Sequence, residues 1–220
     1  MPSHSVSLDV VSDVVCPWCY IGKRQLGAAL ELVAAEGDIA VARARWRPFE
    51  LNPGLPPEGV DRREYLAAKF GSLERAAQRY DVVRAAGATA GIGFEFDRIK
   101  RVPNTRDAHR LIEWAQARGD AAPLVERLFA AFFVEGRDVG DRAELAHIAG
   151  EHGLDAEAAR AMLASGEGSD AVEEGVRWAQ DVGIGGVPFF IFGGRFAVSG
   201  AQDPRVLASA IAEAARAAVA

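Results

Sequence analysis

Only two cysteines occur in this 220-residue chain, and they stand three positions apart in Cys16-Pro17-Trp18-Cys19. The segments on either side narrow the fold more than any other feature. Before the pair, Val6-Ser7-Leu8-Asp9-Val10-Val11 is rich in β-branched residues and partly alternates, which predicts a strand ending near Ser12-Asp13. After it, Tyr20, Ile21, Leu26, Leu30 and Val33 recur at helical spacing from Pro17 to about Glu36, with Gly37 as the stop. Ile39 to about Pro48 alternates again. The cysteines therefore lie where a strand hands over to a helix inside a βαβ unit, whose crossover geometry favours a parallel strand pair.

Phe49 to Val60, with Pro48 before it, holds four prolines and two glycines and reads as an irregular connection. A helical block follows, with segments expected at Arg62 to Tyr80, Val82 to Gly91, Thr105 to Gly119, Ala121 to Val134, Asp141 to His152, Asp155 to Ala164 and Asp170 to Val182. Asp141 and Asp155 are credible caps. Beta character returns at Val187 to Phe192, turns at Gly193-Gly194 and continues from Arg195 to Ser199 as a hairpin. Asp203 then caps an alanine-rich helix with Pro204 at its first position. The expected architecture is α/β, in the order βαβ, helical insertion, ββα. Residues 1–60 and 183–220 would form one unit, and 61–182 an all-helical insertion. The length suits one compact protein with a large core.

A thiol at Cys16 meets unpaired backbone N–H groups and the positive end of the helix dipole, which favour thiolate over thiol. Cys16 is therefore the expected nucleophile. Cys19, one turn on and facing the same side, is placed to resolve a mixed disulfide. Pro17 suits a first helical turn, which has no N–H bond to lose. Two other readings compete: a zinc site completed by His147 and His152, and a purely structural disulfide. Gly185-Gly186-Val187-Pro188 precedes a strand, where a proline is suspicious unless its peptide bond is cis. A cis Val187–Pro188 bond is expected, leaving the Val187 backbone free for an extended substrate segment; an ordinary trans proline is the alternative. Gly183 to Gly186 is not a phosphate loop, because neither lysine nor helix follows.

Among accessory candidates, Asp13 either orients the loop, takes a proton from Cys19, or simply caps the strand end. Asp9, if it points inward, would be a buried carboxylate below the disulfide. Trp18 either offers apolar contact to a partner or packs in the core. His109 lies on a helix capped by the Asn104-Thr105-Arg106-Asp107 segment and either lines the groove or is structural. Phe132, Phe133, Phe189 and Phe190 read as core.

Taken together, the chain resembles the DsbA-like branch of the thioredoxin superfamily, and within it the FrnE-type proteins. The likeness lies in Ser12 to Gly22, Pro48 to Pro53, Asn104 to Arg110, Gly183 to Phe189, and Ser199-Gly200-Ala201-Gln202. It implies a thioredoxin fold with a helical insertion, a redox-active Cys16–Cys19 pair and Pro188 as the cis-proline. Some such proteins carry a further cysteine pair near the C-terminus; this chain has none. The kappa-class glutathione transferases and hydroxychromene-carboxylate isomerases form a similar sister group, with a lone serine where Cys16 stands. The resemblance implies thiol-disulfide exchange or isomerisation, with glutathione-dependent isomerase or transferase chemistry as the second reading. A non-enzymatic binding module is the third.

The charge of −6 argues against a nucleic-acid partner. No apolar run approaches the roughly 20 residues of a membrane span, and the start lacks the pattern of an export signal, so a cytoplasmic protein is expected. Its partners would be thiol- or disulfide-bearing proteins or small thiols. The pair itself serves as the redox group, with glutathione the candidate co-substrate and no metal. The insertion offers surface for a homodimer as well as a monomer.

Overall fold

The computed structural model describes residues 4–37 and 39–218. Its main sheet contains β1 (His4–Ser12), β2 (Ile39–Pro48), β5 (Phe189–Phe192) and β6 (Phe196–Ser199), in spatial order β2-β1-β5-β6. β1 runs parallel to β2, as expected for strands joined by the crossover helix α1 (Pro17–Glu36), and antiparallel to β5, which pairs with β6 across Gly193-Gly194. The final helix is α9 (Pro204–Ala217), capped by the Asp203 carboxylate, which accepts from the Arg205 N–H. This is the thioredoxin arrangement of strands and helices.

β1 alternates in its first half, where Ser5 and Ser7 are exposed opposite Val6 and Leu8, and becomes buried on both faces only at Val10 and Val11. Val6, Leu8 and Val10 join Leu26, Ala29 and Val33 of α1 and Leu207 and Ile211 of α9 in the main core. Val11 faces the other way, against Ala179 of α8 (Ser169–Asp181) and Ile184. Leu207 is wholly buried. Leu207→Ala therefore removes several methyl groups from a packed site, and a loss of about 2–5 kcal/mol is expected. Thermal unfolding checks it: Tm should fall by roughly 2–4 °C per kcal/mol. An unchanged Tm would mean that α9 does not close this core.

The insertion runs through α2 (Arg62–Phe70), α3 (Leu73–Thr89), α4 (Arg106–Gln116), α5 (Ala122–Ala130), α6 (Arg142–Glu151), α7 (Ala156–Ala164) and α8. Two features differ from the sequence expectation. Arg62 to Tyr80 is not one helix, because Gly71 at φ 84 closes α2 and the Ser72 side chain accepts from the Arg75 N–H to start α3. Helix α3 then continues through Asp81, where the spacing suggests a division. The insertion is also not wholly helical: β3 (Val60–Asp61) and β4 (Arg101–Val102) pair antiparallel across about 40 residues of chain.

Tyr20 of α1 ties insertion to sheet. Its ring stacks on Phe129 at 5.1 Å, and its hydroxyl donates to Glu126 at 2.8 Å, where Lys23 also binds at 2.7 Å. One hydrophobic cluster consequently runs from β1 into α4, α5 and α6. A π-helical turn, Ala131–Glu135, extends α5 and shifts the register of its side chains around Phe132 and Phe133.

Candidate active site

Cys16 is the N-cap of α1, with extended backbone at φ −92 and ψ 111. The local turn is closed from both sides. The Cys16 N–H donates to the Asp13 carbonyl at 3.0 Å, and the Cys16 carbonyl accepts from Cys19 at 3.0 Å and Tyr20 at 3.3 Å. The Cys16 side chain makes no capping bond to the helix; its Sγ points to the Val187 carbonyl, 3.7 Å away. Pro17 occupies the first helical position, and Trp18 stands 39% exposed beside the sulfurs. Cys19 is buried and lies within hydrogen-bonding reach of Cys16. Burial, together with the Cys16 hydrogen bond and charge, pushes the Cys19 thiol well above its ordinary value, against smaller opposing help from the Asp13 backbone and the Ser12 side chain.

The Val187–Pro188 peptide bond is cis. Val187 lies outside both ladders, since the pairing of β5 begins at Phe189, while the Pro188 carbonyl accepts from Gly200 at 2.8 Å. The approach of α1 to this segment depends on Gly22. A Cβ there would meet Pro188 Cγ at 2.8 Å and Phe190 Cζ at 3.1 Å. Gly22→Ala should therefore push α1 and the Pro188 segment apart at a cost of about 1–3 kcal/mol, and displace Val187 from Cys16. The check is Tm together with disulfide-exchange rate: both should fall, and a variant matching the parent in both would show that the contact does not matter.

The accessory candidates separate. Asp13 is wholly buried; Oδ2 accepts from the Leu51 N–H at 2.8 Å, while Oδ1 has no hydrogen-bond partner among the described residues and sits 3.5 Å from His109 Nε2. His109 is also buried, 3.0 Å from the Phe49 carbonyl. The two residues thus fasten the Phe49 to Pro53 connection to the strand end below Cys16. Asn104 accepts from the Arg106 N–H at 2.9 Å and donates to Leu55 O at 2.9 Å, which makes it a brace for α4 and the same connection. Asp9 is not a buried carboxylate beneath the thiols. It pairs with Arg47 on the neighbouring strand at 2.7 Å, and Arg47 in turn stacks over Trp178 of α8 at 3.9 Å. It shares a face with Ser5 and Ser7, which are exposed, and with Val11, which Ala179 and Ile184 cover, so it lies where an open face becomes a closed one. His147 is exposed and paired with Glu151 at 3.2 Å, and among the described residues no three His, Cys, Asp or Glu side chains group as metal ligands.

Cys16 opens onto a cleft of about 480 Å³. The sheet side supplies Val15, Cys16, Pro17, Trp18, Gly186 and Val187, and the irregular connection supplies Leu51 and Asn52. The far wall comes from the insertion, with Arg62, Tyr65 and Lys69 of α2 and Arg79 and Tyr80 of α3. Sequence reading did not single out these wall residues. The signal was present as the spacing of 62, 65 and 69, which puts one face of a short helix together.

A family model described as a DSBA-like thioredoxin domain matches residues 7–212. The chain belongs to this family. Within the DSBA-like thioredoxin domain proteins it is similar to a structure described as a probable DsbA oxidoreductase from Streptomyces coelicolor. That likeness has 34% identity and a TM-score of 0.84, covering 95% of this chain and 89% of that one. It is also similar, at 28% identity over 214 residues, to the uncharacterised protein YwbO of Bacillus subtilis, covering 95% of this chain and 97% of that one. The fold is shared with the cytosolic disulfide reductase DsbM of Pseudomonas aeruginosa, solved with GSH, at 22% identity and a TM-score of 0.62, covering 97% and 98% of the two chains.

Proposed function

We propose that the protein is a dithiol–disulfide oxidoreductase in which Cys16 exchanges with substrate and Cys19 resolves the product. The observation that carries this reading is the asymmetry of the pair: both thiols are largely buried, but Cys16, 5% exposed at a helix N-terminus, borders the cleft, whereas Cys19, 1% exposed, does not line it and holds its proton. In the reducing direction, the Cys16 thiolate attacks one sulfur of a substrate disulfide. A mixed disulfide forms and the first substrate thiolate leaves. Cys19 then loses its proton and attacks Cys16 Sγ, releasing the second substrate thiol and leaving the Cys16–Cys19 disulfide. Two electrons have passed from the dithiol to the substrate, and an external thiol resets the pair. In the oxidising direction the same steps run backwards. Trp18, Pro17, Val187 and Pro188 would border the bound segment, and Asp13 and His109 would hold the loop beneath it.

The resolving step should be the pH-sensitive one. In the mixed disulfide the Cys16 thiol no longer bears on Cys19, but burial, the largest cause of its raised value, remains. Release of the second thiol should therefore accelerate as pH rises from neutral into the alkaline range, as measured by stopped-flow on a preformed mixed disulfide. A rate flat with pH would remove proton loss from Cys19 as the limit. The sign for stability is opposite. Above about 8.5 an unfolded thiol ionises while the folded one stays protonated, so the reduced protein loses stability as pH climbs.

A glutathione-dependent isomerase or transferase would use Cys16 alone. Replacement of Cys19 separates the two chemistries.

A further inference from the structure

The cleft holds a charge arrangement that thiol chemistry does not require. Among the described residues its lining contains Arg62, Lys69 and Arg79 and no aspartate or glutamate, although the chain as a whole carries −6. Arg62 is the unusual member. It is only 7% exposed, its guanidinium lies over the Tyr80 ring at 4.9 Å and near Phe96 at 5.9 Å, and, although its backbone N–H donates to the Lys100 carbonyl at 3.0 Å, among the described residues no carboxylate or carbonyl accepts from the guanidinium. The recess on its other side contains Asp61 and Asp97, but both are engaged: Asp61 caps α2 through the Glu64 N–H at 3.0 Å, and Asp97 pairs with Arg84 at 3.2 Å.

Arg110 shows what a structural buried arginine looks like in this same protein. At 2% exposure it pairs with Asp107 at 2.5 Å and donates to the carbonyls of Met162, Ser165 and Glu167. Arg62 has none of this. It is also the first residue of α2, at the positive end of the helix dipole, where a cation is disfavoured. Burial without a counter-charge and an unfavourable helix end both work against folding, and local conflicts of this kind mark functional positions.

We propose that Arg62, with Lys69 and Arg79 at the rim, forms a carboxylate-binding subsite that selects anionic thiol or disulfide substrates for Cys16. This deepens the dithiol–disulfide reading and rests on it. A guanidinium receives a carboxylate through two parallel N–H donors, and here the aromatic faces of Tyr80 and Phe96 leave its donor edge for the ligand. Lys69 donates to the Tyr65 hydroxyl at 2.9 Å and, like Arg79, is exposed, so both add field and steering more than a fixed contact. The carboxylate belongs either to a small acidic disulfide or to an acidic segment of a polypeptide.

Small aliphatic disulfides of similar size and different charge provide the test: dithiodipropionate, bis(2-hydroxyethyl) disulfide and cystamine, each rate divided by that of uncatalysed exchange with dithiothreitol. The expected kcat/KM order is anionic, neutral, cationic, with the spread shrinking as salt is raised. Arg62→Gln should lower the anionic-to-neutral ratio about tenfold to a hundredfold. Lys69→Gln and Arg79→Gln should lower it by about two- to fivefold, and keep the test open if the buried variant does not fold. Arg195→Gln, exposed on the distant hairpin, should leave the ratio alone. Parallel cysteine peptides flanked by glutamate or lysine separate the sources. Charge preference confined to peptides supports an acidic polypeptide segment, and preference confined to small disulfides supports a small anion. Equal normalised rates across all substrates, or a ratio that none of the three variants moves, would overturn the subsite alone. No exchange with any disulfide would overturn the dithiol reading and the subsite with it.

Discussion

Cys16→Ser should reduce disulfide exchange to the uncatalysed rate while leaving the fold intact. The substitution replaces sulfur by a smaller oxygen at an N-cap, a position serine favours, so helix α1 should not suffer. What disappears is the nucleophile, because exchange runs through a thiolate and a serine hydroxyl does not attack a disulfide at neutral pH. Cys19 cannot take over. It is 1% exposed, sits behind Cys16 relative to the cleft, and burial keeps its proton in place. Insulin reduction and refolding of a scrambled disulfide substrate, run beside circular dichroism and Tm, measure this directly. A Cys16→Ser protein that still exchanged disulfides would move the chemistry elsewhere.

Cys19→Ser should do something different and equally large: it should capture substrate. Cys16 remains at the helix N-terminus and attacks as before, but no second thiol is present to release the product. Intact-mass analysis after one encounter with a disulfide peptide should show a stoichiometric adduct on Cys16, stable until an external thiol is supplied. The parent protein should show the free thiols or the internal disulfide, with the mixed species short-lived. If Cys19→Ser turned over as fast as the parent, exchange would not use the pair, and single-thiol chemistry of the glutathione-dependent kind would become the better account.

The parts of this site nearest the cysteines are written in local sequence. The strand before Cys16 and the helix after it differ in hydrophobic period, so the handover is visible without a structure. Asp141, Asp155 and Asp203 act on their own helix starts, and all three caps form as their positions suggest. The cleft was not legible in the same way. Arg62 opens a short helix in a polar stretch and looks like a solvated surface residue; its burial arises because α2 and α3 fold back across Tyr80 and Phe96. That placement depends on contacts distant in sequence, such as the Arg62 N–H with the Lys100 carbonyl. The break at Gly71-Ser72 carries no change of period, and β3 and β4 are two residues each, too short for alternation to register. Asp9 finds Arg47 only because β2 returns parallel beside β1. Asp13 and His109 lie 96 positions apart, and neither position announces the other.

The most direct test of the central claim is a redox titration of the Cys16–Cys19 pair. Protein equilibrated across a series of reduced and oxidised glutathione ratios is quenched with acid, alkylated and weighed. Both thiols should disappear together in one two-electron transition, with a tenfold change in equilibrium constant for about every 29.6 mV, and the midpoint fixes whether the protein runs as reductant or oxidant. Two cysteines that stay alkylatable across the whole range, or that titrate independently as separate glutathione adducts, would contradict it.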